Sequence, residues 1–160
     1  MNYKLLLSVF LLSTHVYSLD IYSEVSSTIL SMKNIGDKVV KGEVIVQLDS
    51  RQAELELKAQ EMILETKEYV FNDRQKILAQ TQELYDRLVG SKRNLDLAQE
   101  TFDAARREFE AQKIAVEIAK IELEKYQIKS PVNGTVDSIP SPRNLTNISN
   151  PKILMVIDPD

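Results

Sequence analysis

From Val25 to Leu48 the apolar positions come in short, closely spaced runs. Val39, Val40, Val44, Ile45, Val46 and Leu48 are interrupted by Gly36-Asp37 and Lys41-Gly42. Such runs predict short strands joined by tight turns, with glycine supplying the positive φ a turn requires. The period changes at Asp49-Ser50. Onward to Val89 the chain holds no glycine or proline, and Leu57, Leu64, Phe71, Leu78 and Tyr85 recur every seven residues. Ile63, Val70, Ile77 and Leu84 form a neighbouring row at the same spacing. Two adjacent rows predict one helix with a broad apolar stripe. Ser50 or Asp49 suits its N-cap, and Glu54 and Glu56 suit the positive end of its dipole.

Gly90 is expected to stop this helix and Ser91 to cap the next. The second helix places Leu95, Phe102, Phe109, Val116 and Leu123 in one row and Ala98, Ala105, Gln112, Ala119 and Tyr126 in another. Small residues opposite large ones let two helices approach closely. Each segment is about 38 residues long, on the order of 57 Å at the helical rise. A turn as short as Gly90-Ser91 forces an antiparallel return. Residues 50 and 128 are thereby brought to the same end. Proline closes the second helix at Ser130-Pro131. Val132 to Val136 reads as a strand with a glycine turn, Pro140, Pro142 and Pro151 punctuate a loop, and Lys152 to Asp158 reads as a last strand.

Charge and composition narrow the chemistry. The 160 residues carry a net charge of −4 with 28% charged positions. No basic patch stands out, which argues against nucleic acid as a partner. There is no cysteine, so disulfides and thiolate chemistry are excluded. His15 is the one histidine, and it lies in a segment expected to be removed, leaving no histidine for a zinc site or a general base. That segment, residues 1–18, reads as a secretory signal: Lys4, then the apolar run Leu5 to Leu12, then Val16 and Ser18 before the cleavage point. A mostly apolar run of eight residues is far shorter than the roughly 20 needed to span a bilayer. Asn-x-Ser/Thr triplets at Asn133, Asn144 and Asn147 are taken as chance. Glu61, Glu68, Glu108 and Glu117 read as solvated helix faces and converge on no cleft, so an enzyme is not expected.

Two further motifs carry a resemblance. Gly36-Asp-Lys-Val-Val-Lys-Gly42, followed by Leu48-Asp49, looks like the first half of a lipoyl or biotinyl domain. Ser130-Pro-Val-Asn-Gly134-Thr-Val136 looks like its second half. In this order around a heptad hairpin, the chain resembles the membrane fusion proteins, the periplasmic adaptors of bacterial efflux pumps. The resemblance implies an α+β fold: a long antiparallel coiled-coil hairpin inserted into a split lipoyl/biotinyl-like β-sandwich. It divides the chain into a signal peptide (1–18), a first β-half (19–49), a hairpin (50–128, tip at 88–92) and a second β-half (129–160). Gly36, Gly42 and Gly134 are then the turn glycines. The helices replace the turn that bears the modified lysine in true carrier domains. No lipoate or biotin is therefore expected, and Lys38 and Lys41 read as solvated charges.

The resemblance also implies a mechanical role without catalysis or cofactor. Adaptors form a ring, and the hairpin tips meet an outer-membrane efflux duct. The expected tip residues are Gln80, Leu84, Arg87, Ser91, Leu95 and Asp96. Leu84, Ser91 and Asp96 stand in the family's register, whereas Gln80 stands where adaptors carry arginine and lacks its fixed fork of charged donors. Ile63, Val70 and Ile77 are the expected self-association row, toward further copies or a full-length adaptor. An inner-membrane transporter of the RND or ABC type is the other implied partner. The β-barrel and membrane-proximal domains of adaptors find no counterpart in this sequence. The competing expectation is a stand-alone or split adaptor head with a structural or regulatory role and no direct pump contact.

Overall fold

The structure is a computed structural model that describes residues 18–140 and 153–160. The expected signal peptide, apart from Ser18, lies outside the described residues. So do most of the proline-punctuated loop and the triplets at Asn144 and Asn147. The order is β1 (Leu19–Tyr22), β2 (Ile29–Met32), β3 (Lys38–Val39), β4 (Val44–Leu48), α1 (Arg51–Asp86), α2 (Lys92–Glu124), β5 (Gln127–Lys129), β6 (Gly134–Ser138) and β7 (Ile153–Pro159).

The strands form two antiparallel sheets, ordered β1-β7-β6-β3 and β2-β4-β5. Each is stitched from both ends of the chain: β1 pairs with β7, β3 with β6, and β4 with β5. One core serves both sheets. Ile21, Val39, Val136, Leu154, Met155 and Ile157 come from the first, and Ile45, Val46 and Leu48 from the second. Ile45 and Val46 are neighbours yet both are buried. A register shift between Val44 and Val46 against β5 interrupts the alternation there.

Two turns of one design hold the halves together. In Asn34–Asp37, Gly36 has φ +89°; in Val40–Glu43, Gly42 has φ +87°. A positive φ at the third position is the type II requirement that glycine meets without strain. In each turn the fourth residue's amide donates to the first residue's carbonyl, and the fourth residue's carboxylate accepts the first residue's amide. The glycines then reach across the chain. Gly36 N–H donates to Val136 O at 2.8 Å, and Gly42 N–H to Ser130 O at 2.7 Å. Val136 and Ser130 donate back to the carbonyls of Asp37 and Glu43. Asn133 adds a side-chain link, accepting the Lys41 amide at 2.8 Å.

Gly134 differs from the other two. It is not a turn glycine: it opens β6, and a Cβ there would stand 2.3 Å from the Asp158 carbonyl oxygen. The residue is needed for close approach of β7, not for its backbone angle.

The helices pack as an antiparallel pair. Phe71 of α1 sits between Phe102 and Phe109 of α2, with centroids 5.5 and 5.3 Å away. Ala98, Ala105, Val116 and Ala119 are buried in the seam, as the heptad spacing predicts. No residue of α1 is fully buried, because a two-helix layer covers only one face of each helix. Two polar residues of α1 that lie outside both apolar rows, Gln60 and Lys67, also meet α2. Gln112 Nε2 donates to Gln60 O (3.0 Å) and Oε1 (2.8 Å), and Lys67 pairs with Glu108 at 2.8 Å. That pairing holds the Glu108 carboxyl below its ordinary range, so Glu108 is not merely part of a solvated face.

The second helix ends at Glu124, earlier than Pro131 alone dictates. Lys125 and Tyr126 amides bond three residues back, tightening the last turn. Gln127–Lys129 then pairs with β4, and Tyr126 and Ile128 pack on the β-core. Tertiary pairing here overrides helical propensity. At the start of α1 the N-cap residue is Ser50, whose side chain makes no capping bond, and Asp49 before it contacts Arg51. The Asp49 carboxylate accepts from the Arg51 amide at 3.2 Å and from the Arg51 guanidinium at 2.6 Å, and the latter lowers its pKa.

Candidate functional site at the hairpin tip

The tip is built by a helix stop that the sequence reading misplaced. The left-handed residue is Leu88, at φ 59°, and not Gly90. Leu88 N–H donates to Tyr85 O at 2.9 Å and Val89 N–H to Leu84 O at 3.0 Å. These two bonds form a Schellman motif with leucine where glycine is usual. Gly90 is required for another reason: its Cβ would lie 3.0 Å from Tyr85 N and 3.2 Å from Leu84 C. Ser91 then caps α2, its hydroxyl accepting the Asn94 amide at 3.2 Å.

This stop sets out the expected tip residues around one loop. Leu84 is 48% exposed near the end of α1. Arg87 is the C-cap and lies 3.4 Å from Glu83. Asp96 is exposed, 3.9 Å from Lys92, and Leu95 is half-buried toward the seam. Gln80 is exposed about two turns below the tip. Ser91 is fixed by its capping bond, so its hydroxyl proton remains free to donate outward.

Sequence reasoning missed the two most exposed apolar residues of the loop, Leu88 at 94% and Val89 at 73%. The available signal was an apolar pair placed directly before Gly90, where a helix stop leaves little to bury it. Exposed apolar side chains on a short loop, with Arg87, Lys92 and Arg93 close by in the sequence, suit a contact with another protein. Of the expected self-association row, Ile63 is 43% exposed, and Val70 and Ile77 are half-buried. Lys38 and Lys41 are both exposed, the latter in the second glycine turn. Among the described residues no helix is long and apolar enough to cross a membrane.

No family model matches the chain. No curated protein matches it by sequence. Solved structures do match. A MacA-MexA chimeric protein containing the Pseudomonas aeruginosa MexA alpha-hairpin domain superposes with a TM-score of 0.67 at 24% identity, over 90% of this chain and 48% of that one. The membrane fusion protein Spr0693 from Streptococcus pneumoniae R6 gives 0.64 at 14% identity, over 89% and 63%. The periplasmic adaptor protein EmrA gives 0.56 at 12% identity, over 89% and 72%. The chain therefore has the fold of membrane fusion proteins, or periplasmic adaptors: a helical hairpin carried by a β-module. It spans about half the length of the chimeric protein.

Proposed function

We propose that this chain is the hairpin-bearing part of a periplasmic adaptor in an efflux or secretion transporter. One observation carries the reading: both sheets are assembled from the two chain ends, so the β-module holds the feet of α1 and α2 together and presents the tip at the far end. In this reading the β-module is a lipoyl/biotinyl-like sandwich with no attached cofactor. The chain is exported by a cleaved signal peptide and works in the periplasm at the cell envelope. It performs no catalysis.

The partner at the tip is an outer-membrane efflux duct. Leu84, Leu88 and Val89 provide apolar contact, and Ser91, Arg87 and Asp96 provide polar contact around it. An inner-membrane transporter of the RND or ABC type is the second partner, and copies of this chain or a full-length adaptor are the third. Ile63, Val70 and Ile77 contribute to that lateral association.

The test is capture from bacterial envelope extract with the full chain as bait, beside Leu84→Ala and Ser91→Ala variants. Recovery of a duct protein that falls with Leu84→Ala supports the proposal. Recovery of a duct without any transporter favours an adaptor head that makes no direct pump contact. Recovery of neither component by the wild type overturns the transport role.

A further inference from the structure

At its foot the hairpin seam is not closed. Ala53 of α1 and Ala115 and Ala119 of α2 line a cavity of about 280 Å³ there, with Ile118 beside them. One heptad nearer the tip the same three rows hold Gln60, Glu108 and Gln112. Those longer side chains bridge the two helices. Alanines in their place leave the seam short of volume. A gap in a packed seam is costly, because its walls lose contacts on one side. The volume lies just under the small end of pockets that take organic molecules, about 300 Å³.

Two carboxylates line the same cavity, Glu56 from α1 and Glu122 from α2. Glu56 is positioned by a relay of side-chain amides. Gln112 Nε2 donates to Gln60 Oε1 at 2.8 Å, and Gln60 Nε2 donates to Glu56 Oε1 at 2.8 Å. Among the described residues Glu56 makes no ion pair, and its second oxygen accepts no hydrogen bond. Glu122 gives one oxygen to Lys125 at 2.7 Å and keeps the other open. The apolar walls therefore end in a fixed carboxylate that the chain itself does not neutralise.

We infer that this cavity binds a small organic cation with an apolar body. The body rests on the three alanines and Ile118, and the charge is met by Glu56 and Glu122. An anion of the same shape is repelled by both carboxylates, and a neutral compound leaves Glu56 without its counter-charge. Burial of the body supplies most of the affinity. The carboxylates are open to solvent, so the charge adds up to about fivefold. The site stands on the seam and not on the tip. Within the proposed function it adds compound binding to a chain otherwise read as mechanical.

Methyl chemical shifts of the full chain, labelled at alanine, test the inference. The probes are benzyltrimethylammonium, benzyl alcohol and phenylacetate, which share a ring and differ in charge. Benzyltrimethylammonium is expected to shift the methyls of Ala53, Ala115 and Ala119 saturably. Benzyl alcohol should bind about fivefold more weakly, and phenylacetate should not bind. Glu56→Gln keeps an acceptor for Gln60 and should weaken the cation about fivefold while leaving the alcohol unchanged. Glu61→Gln removes the same charge from a position that does not line the cavity, and should change neither. Ala115→Leu fills the cavity and should abolish binding of both, with helical circular dichroism checking its fold; if it does not fold, the two glutamate variants decide. Alanine methyls that do not move with the cation overturn the inference. So do equal affinities for cation and alcohol, or equal losses in Glu56→Gln and Glu61→Gln. Duct capture from envelope extract is read separately, so failure of the cavity leaves the tip contact standing, and failure of the tip contact leaves the cavity standing.

Discussion

Asp37 and Glu43 hold the same place in two copies of one turn. Each follows a glycine of positive φ, and each carboxylate accepts the amide three residues before it, from Asn34 at 2.7 Å and from Val40 at 3.0 Å. The carbonyls of the same two residues take the amides of Val136 and Ser130, at 3.0 and 2.8 Å. The recurring Gly-acid pair in the sequence is thus a clasp used twice, joining segments separated by the whole hairpin.

Glu43 also pairs with Lys33, which is absent from the first turn's set. Its carboxyl titrates below the ordinary glutamate value, held there first by Lys33 and then by the Val40 amide. A lowered folded-state pKa means stability present above the unfolded value and lost as pH falls through the folded one. The Lys33 ammonium is raised by the same pair, so its share is complete below its unfolded value and fades only in strong alkali. Glu43→Gln keeps an acceptor for Val40 but removes the charge. The thermal midpoint of wild type should exceed that of Glu43→Gln at neutral pH, and the gap should close on acidification below the glutamate range. A gap that stays constant with pH would show that charge plays no part.

Gly134 and Gly36 should respond differently to alanine. At Gly36 there is open space and only the positive φ is strained. Gly36→Ala should therefore cost about 1 kcal/mol. At Gly134 the new methyl meets the Asp158 carbonyl and the Ile157 side chain. Relief requires β6 and β7 to separate, and overpacking of this kind costs about 2 to 3 kcal/mol. Urea denaturation of the two variants gives the order, and a milder Gly134→Ala would refute the close-approach role.

Several features were legible without coordinates because they depend on period and punctuation. The change from short alternation to heptads at Asp49 and the reversal near Gly90 both mark real transitions, whereas Pro131 follows β5 and does not close the helix. What was not legible depended on tertiary choice. Gln60 and Lys67 belong to neither apolar row, yet they meet Gln112 and Glu108 across the seam, a pairing visible only once the helix register is set. Gln127–Lys129 likewise reads as the tail of a helix until β4 offers it a ladder. At the tip, glycine drew attention from Leu88, whose backbone is the unusual one.

Leu88 tests whether stability and contact have parted at that position. A leucine in the left-handed region costs about 1 kcal/mol that glycine avoids, and at 94% exposure the side chain recovers almost nothing by burial. Leu88→Gly should raise stability by about 0.5 to 1 kcal/mol in urea denaturation while weakening capture of the duct. Lower stability in Leu88→Gly would contradict the Schellman geometry. Unchanged capture would remove Leu88 from the contact surface.

The Phe71 cluster tests how the hairpin is held between its ends. Phe71 contacts Phe102 and Phe109, stacking on the latter at an interplanar angle of 14°. With so little of α1 buried, few other contacts can compensate for its loss. Phe71→Ala should destabilise the helices by about 3 kcal/mol, the low end for a phenylalanine in a core, because the site is only half-buried. The β-module has its own core, formed without any seam residue of the hairpin. Helical signal should therefore melt earlier in Phe71→Ala than the amide protection of β4, β6 and β7 in hydrogen exchange. Simultaneous loss of both would show that hairpin and β-module unfold as one unit.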